Sequence, residues 1–499
     1  MKLDWRQYDI RLIAVAASLL SSVFTLLLQE IPNSDAYTYA RTADIFLSDG
    51  LAAAYQHYSW ASYSILIGIV SSIGLDIFSA ALLVNGVFYA ILVYSFLSII
   101  REINESKSLL VLSACCILVY PQLNEYRELI IRDIGFWALS VFALWRYIVY
   151  ARTHALHHAI IFSASLLAAA SFRAEALAYL LFTPLALLFD TRFASSVRKV
   201  LLLRLYAVVI VLSFGLLLFL TFMGLNVARL FVEFASIYEP FVSGNYTLTE
   251  EERVLLGSLL FSDYAATFSR EYIEIFLLAG MIAILFANLF TAIGAPFLII
   301  LIIGSIRSRI HLSRHIAVPV IIYLGLNLII LLGFIVLTRY LSSRYAMLMC
   351  ILLALFVPLL LLQFLETARK ENRNTFHYIF AIFLGYCAID SYYSFGESKT
   401  YVRDSIEWYA ENTEDSAGLV TNNHAIAYFS GKVDDYDLVM KDLSAEEILA
   451  SNIGDTIAAE LTFVTRQLLQ RESIANKLRL LASFPDTDES RIVFFERIQ

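Results

Sequence analysis

The chain predicts an all-α polytopic membrane protein with a small C-terminal α/β domain, and three observations carry that expectation. Its 499 residues are 59% hydrophobic and only 16% charged, with a mean hydropathy of +0.71. So little charge excludes an ordinary soluble protein of this length. Long apolar runs recur, among them "LLLRLYAVVIVLSFGLLLFLTFMG" and "AVPVIIYLGLNLIILLGFIVL", each near the ~20 residues that cross a ~30 Å hydrocarbon core. The charge is also unevenly placed: residues 396–499 hold 19 acidic and 10 basic side chains, a balance of −9 in a chain whose total is −8. That asymmetry divides the chain into a membrane domain, 1–394, and a separate aqueous domain, 395–499.

The apolar runs place about 11 transmembrane helices, at 11–30, 77–99, 108–122, 134–150, 159–172, 175–190, 200–224, 280–306, 316–337, 345–365 and 375–391. Lys2, Arg6 and Arg11 precede the first run, which lacks a small-residue cleavage site and reads as a retained span. The stretch 60–73 is too short to cross and reads, with 36–48, as juxtamembrane or re-entrant helices. Lys and Arg concentrate in 101–107, 152–158, 192–204, 307–314 and 369–373, which alternate correctly as cytoplasmic loops with a cytoplasmic N-terminus. An odd number of spans then puts the C-terminal domain outside, in a plasma (inner) membrane setting. In the tail, 398–412, "SAEEILAS" and "RQLLQRESIANKLRLLASF" read as helices. "AGLVTN", "TIAAELTFV" and "RIVFFERI" read as strands.

The loops of the opposite face hold the conspicuous charges: Asp35, Arg127, Glu128, Arg132, Asp133, Arg173, Glu175, Arg339 and Arg344. Charges kept at an apolar boundary are costly and usually functional. Arginine forks match phosphate oxygens, and a carboxylate above the hydrocarbon can take a proton from a hydroxyl nucleophile. Together these types suit transfer of a group from a lipid phosphate to an acceptor hydroxyl. No Gly-rich phosphate loop, nucleic-acid-binding stripe or metal-ligand spacing is present. The cysteines at 115, 116, 350 and 387 lie in apolar segments and point to no chemistry.

The stretches "PNSDAYTYA", "FLSDG" and "YSWASYSILIGIVSSIGLDIFSAALLVNGVFYAIL" resemble the N-terminal half of the GT-C glycosyltransferases. Within these they are most similar to bacterial relatives of protein O-mannosyltransferases and aminoarabinose transferases. "YRELIIRD", "SFRAEALAYLL" and "SRYAMLMCILLALFVP" are similar to later landmarks of that family, and "YVRDSIEWYAENTEDSAGLVTNNHAIAYFSG" resembles its soluble tails. The resemblance implies an inverting enzyme that moves a sugar from a polyprenyl-phosphate donor to a lipid, glycan or protein hydroxyl on the extracytoplasmic face. It implies Asp35 as general base, with Arg127, Arg132, Asp133, Arg173, Arg344 and Tyr345 binding donor phosphate or acceptor. No cofactor is implied. Ala36 follows Asp35 where many mannosyltransferases carry an Asp-Glu pair, which leans against a divalent metal.

Each signal also has a plainer explanation. Asp35 suits a helix N-cap, and Glu128 with Arg132 has the i,i+4 spacing of a surface ion pair. Arg173 with Glu175 would bridge a helical hairpin, and Arg339 and Arg344 would snorkel to the interface. Tyr37, Tyr39, Tyr55, Tyr58 and Tyr63 suit an aromatic belt or a sugar groove. His154, His157 and His158 suit a solvated loop. The rival functional classes are a transporter or flippase of lipid-linked glycans and a surface polysaccharide polymerase or ligase that uses the long 226–273 loop.

Overall fold

The computed structural model describes residues 8–28, 31–229, 248–261, 272–307, 312–371, 375–393, 400–413, 417–486 and 490–499, with isolated positions between 232 and 310. Of the 226–273 loop, 230–231, 233–234, 237–238, 240–247, 262–264 and 266–271 lie outside the described residues. Among the described residues, seven helices are long and apolar enough to cross a membrane: Ile10–Leu28, Ile77–Ile103, Asp133–Thr153, Ser195–Phe222, Ile273–Ile293, Arg314–Thr338 and Ser343–Lys370. An eighth candidate is the bent pair Lys107–Leu118 and Pro121–Glu128, which turns by 50°, with Pro121 at the first helical position where its missing N–H costs nothing. The chain is an integral membrane protein.

Eight of the predicted spans fall on these segments. The predicted spans at 159–172, 175–190 and 375–391 fall instead on shorter apolar helices. The predicted 280–306 span is two helices, Ile273–Ile293 and Ala295–Arg307. Gly294 separates them at φ +75°, a backbone conformation that glycine adopts without a Cβ penalty. The short stretch 60–73 is the helix Ser62–Ser71, and 36–48 lies within Ser34–Asp49.

The chain folds as two compact units. The first comprises 1–21, 85–126 and 132–393; the second comprises 22–84, 127–131 and 394–499. Asp133–Thr153 lies deep in the first, with 78% of its apolar window buried, whereas 11% is buried in Ser195–Phe222. The latter leaves Phe214, Phe219 and Phe222 exposed, as a helix facing hydrocarbon should, because its backbone polar groups are satisfied internally.

In the second unit, Ser34–Asp49 crosses Ser62–Ser71 so closely that a Cβ on Gly68 would meet the Phe46 ring at 3.0 Å. Tyr37, Tyr39 and Tyr63 are buried there. Tyr39 packs edge-on against Tyr63 at 4.9 Å, and Tyr55 and Ser62 share a hydroxyl hydrogen bond of 2.7 Å. These tyrosines form a packed core and not an aromatic belt.

The tail of this unit carries a four-stranded sheet: β1 Leu419–Thr421, β2 Thr456–Glu460, β3 Leu478–Phe484 and β4 Ile492–Arg497. Their order is β1-β2-β4-β3, with β1 parallel to β2 and the other pairs antiparallel. Leu443, Ile448, Ile457, Leu468 and Ile474 form its core. The predicted helix "RQLLQRESIANKLRLLASF" ends early: Phe463–Leu469 and Glu472–Ala475 are helical, but "LRLLASF" is β3, captured by the ladder with β4. Within the unit the tail meets the juxtamembrane helices through His57 Nε2 and Asp437 Oδ2 at 2.8 Å and through Tyr37 stacked on His424 at 6.0 Å.

Candidate functional site

In the first unit, Asp133 opens the Asp133–Thr153 helix, where the aligned peptide dipoles favour a negative charge. Its side chain is 4% exposed. Arg173 reaches it from the turn between Leu156–Ala170 and Ala176–Phe182. Arg173 Nη1 donates to Asp133 Oδ1, and its Nε and Nη2 donate to Glu175 Oε1 at 3.3 and 2.6 Å. Burial works against the guanidinium charge, but Glu175 and then Asp133 outweigh it and raise the Arg173 pKa. A buried cation flanked by two carboxylates satisfies the rule that buried charges are paired.

The Tyr345 ring lies between two arginines. Arg173 Cζ stands 4.3 Å from its centroid and Arg344 Cζ 5.3 Å, both within cation–π range. Tyr345 packs edge-on against Phe334 at 4.9 Å. Beside it, the Tyr126 hydroxyl and Ser343 Oγ share a 2.9 Å hydrogen bond, and Tyr126 packs on Trp137 at 5.3 Å. Arg344 lies in the first turn of Ser343–Ala354, where helix N–H groups also favour an anion.

Arg173, Phe334, Arg344 and Tyr345 line a narrow pocket whose other walls include Trp137, Glu175, Tyr179 and Asn327. Its volume is about 20 Å³, room for a single water, so a sugar enters only if the walls move. Arg173 is balanced by Asp133 and Glu175. Deeper in the unit, Asn327 Nδ2 donates to the Tyr179 hydroxyl at 2.9 Å, and Tyr179 stacks on Tyr323 at 4.6 Å.

Of the residues singled out from the sequence, the structure brings Asp133, Arg173, Arg344 and Tyr345 together. Arg132 immediately precedes Asp133 and is half-buried. Asp35 and Arg127 belong to the second unit. Asp35 lies in the first turn of Ser34–Asp49, but the N-cap position is Asn33, so the capping explanation of Asp35 fails. Asn33 itself clamps the 127–131 segment: Ile130 N–H donates to its Oδ1 at 2.8 Å, and its Nδ2 donates to the Ile130 carbonyl at 3.2 Å.

That clamp also explains why 127–133 does not form the helix its spacing suggested. The backbone of Ile130 bonds a side chain 97 residues away in sequence, and only Tyr126–Glu128 make a 3-10 turn. The i,i+4 geometry for Glu128 and Arg132 is therefore lost. Arg127 is buried and its Nη1 donates to Ser22 Oγ at 2.8 Å.

Sequence reasoning overlooked Tyr126, Phe136, Trp137, Tyr179 and Asn327. Of these only Asn327 left a signal, as a lone amide inside an apolar run. Of the histidines expected in a solvated loop, His157 is exposed, whereas His154 and His158 are half-buried.

No family model matches the chain, and no curated protein matches it. Among solved structures, the likeness found is one of fold. ArnT from Cupriavidus metallidurans in the apo state aligns at a TM-score of 0.55 and 11% identity, over 97% of each chain. The same protein bound to undecaprenyl phosphate aligns at 0.47 and 11% over the same shares. The archaeal oligosaccharyltransferase AglB from Archaeoglobus fulgidus, in complex with an inhibitory peptide and a dolichol-phosphate, aligns at 0.47 and 13% identity. That match covers 92% of this chain and 70% of AglB.

Proposed function

We propose that this chain is an inverting glycosyltransferase that moves a sugar from a polyprenyl-phosphate donor to a hydroxyl on a lipid, glycan or protein. The observation that supports it best is the convergence of Arg173, Glu175, Arg344 and Tyr345 on one pocket at helix ends of a membrane unit, with Asp133 ion-paired to Arg173. The near-full-length likeness to apo ArnT supplies the fold on which such chemistry is plausible by analogy. The orientation follows the basic loops: the N-terminus is cytoplasmic, and the pocket and the C-terminal domain are extracytoplasmic, in an inner membrane.

In this reading Asp35 takes the proton of the acceptor hydroxyl. The freed oxygen forms its bond to the anomeric carbon on the face opposite the phosphate, and the anomeric C–O bond to phosphate breaks. The electron pair leaves on the polyprenyl phosphate, and the proton passes from Asp35 to water. Arg344 steadies the departing phosphate as its charge grows, with Arg127 and Arg132 as further cations of this group. Arg173 acts differently. Its charge is already balanced by the two carboxylates of Asp133 and Glu175, so it is a positioning residue that holds Tyr345 under its guanidinium.

The test is donor turnover by membranes carrying Arg344→Gln or Arg344→Lys, supplied with pooled polyprenyl-phosphate sugars and followed by mass spectrometry. Loss of one charged contact to a developing anion lowers turnover by about 10²-fold or more, with partial recovery in the lysine variant. Unchanged turnover in Arg344→Gln would remove Arg344 from the reaction.

A further inference from the structure

At the other end of the Asp133–Thr153 helix, 21 residues and so about 30 Å from Asp133, the first unit holds a second and larger cavity. Its volume is about 330 Å³, and its lining includes Arg11, Ser98, Arg101, Glu102, Trp145 and Arg152. This is far roomier than the first pocket and mostly polar in its lining. No group in it takes part in the proposed transfer.

The charges around it are nearly all accounted for. Arg11 grips Asp9 with Nε at 3.0 Å and Nη2 at 2.6 Å, and its Nη1 donates to Ser98 Oγ at 3.0 Å. Arg152 Nε stands 3.0 Å from Glu102, and its Nη2 donates to the same carboxylate at 3.1 Å. Arg101 meets Asp9 only at 3.9 Å and is half exposed. Arg146 stacks over the Trp145 ring at 4.7 Å. Among the lining residues, three arginines (Arg11, Arg101 and Arg152) face two acids (Glu102 and Glu105).

Helix ends of both polarities meet at this cavity: Ile10–Leu28 begins there, while Ile77–Ile103 and Asp133–Thr153 end there. Two negative helix ends against one positive leave about half a negative charge from the backbone, less than the side chains' excess of one arginine, which decides the sign. A guanidinium has five donors, so the paired arginines keep N–H groups for another acceptor. The aromatic walls, with Tyr94 under Arg11 at 4.7 Å and edge-on to Trp145 at 5.6 Å, have the amphipathic character of a membrane interface.

We infer that this cavity is a binding site for the phosphate headgroup of an anionic membrane lipid. A phosphodiester fits the room, the one-charge excess of arginine and the position at the ends of membrane helices. Basic pockets between helices on the cytoplasmic side are where such headgroups bind. The site is separate from the transfer pocket, and the inference stands whether or not the transferase reading does.

The experiment is native mass spectrometry of the detergent-solubilised full chain, titrated with phosphatidylglycerol, phosphatidylethanolamine or inorganic phosphate. The wild type should retain phosphatidylglycerol in preference to phosphatidylethanolamine. Arg101→Gln/Arg152→Gln should lose about tenfold or more of that retention, and Arg101→Lys/Arg152→Lys should recover most of it. Arg479→Gln, on the sheet of the C-terminal domain, should bind as the wild type does, and an unchanged elution profile of the double glutamine variant separates loss of the site from loss of the fold. Equal retention of the two lipids, or full retention by the double glutamine variant, would overturn the inference. Displacement of the lipid by millimolar inorganic phosphate would overturn the lipid source and leave a free-anion site.

Discussion

Asp133→Asn is the perturbation whose size follows most directly from the structure. The change keeps shape and an acceptor oxygen but removes the charge from a side chain that is 4% exposed and bonded to an 11% exposed guanidinium. A hydrogen bond to a charged group is worth about 1.5–3 kcal/mol against about 1 for a neutral one, so roughly 1 kcal/mol of charge assistance is lost. The carboxylate also sits at the first position of its helix, worth about another 0.3–1 kcal/mol. Glu175 remains at 2.6 Å and prevents the larger loss of an orphaned buried cation.

The expected loss is therefore about 1.5–2 kcal/mol, read from unfolding in mixed detergent micelles. Repeating it in the Arg173→Gln background isolates the pair: the Asp133→Asn effect should shrink by about 1 kcal/mol or more there, because neighbours couple. Equal losses in the two backgrounds would refute the claim that Asp133 acts through Arg173.

Three further outcomes follow from the same geometry. Tyr345→Ala should cost about 1–2 kcal/mol by removing the ring under Arg173, and Tyr345→Phe should cost less than half of that, since the ring and not the hydroxyl meets the cation. Asn33→Ala should free the 126–132 segment, seen as faster amide exchange at Ile130 because its backbone bond at 2.8 Å is lost; unchanged exchange there would refute the clamp. Gly68→Leu should destabilise the second unit by about 1–3 kcal/mol, since its Cβ position already meets Phe46 at 3.0 Å, checked by limited proteolysis of the juxtamembrane helices.

Hydropathy made the membrane spans legible, because an apolar run of twenty residues leaves little alternative in lipid. It failed where the run masked a local break, as at Gly294, where both flanking segments are apolar. It failed again in "LRLLASF", where a short leucine-rich stretch fits either period and only pairing with β4 decides.

The pocket was half legible. Arg173, Arg344 and Asp133 stood out as charges at an apolar edge, but nothing local predicted that Arg173 would be taken up by two carboxylates, one of them 40 residues away. The same holds for Asn33. The sequence suits a cap at Asp35, whereas Asn33 holds that position and commits its amide to a partner 97 residues distant. The tie between His57 and Asp437 spans 380 residues and leaves no trace in either segment.

The proposed chemistry rests most heavily on Asp35. Membranes carrying the wild type or Asp35→Asn would be supplied with the pooled polyprenyl-phosphate sugars, with donor consumption and glycosylated products followed by mass spectrometry and folding checked by elution in detergent. A folded variant that leaves the donor unconsumed and forms no product is the result this account predicts. Turnover that persists in Asp35→Asn would contradict it, as would a wild type that consumes no donor while lipid-linked glycans change sides in reconstituted vesicles.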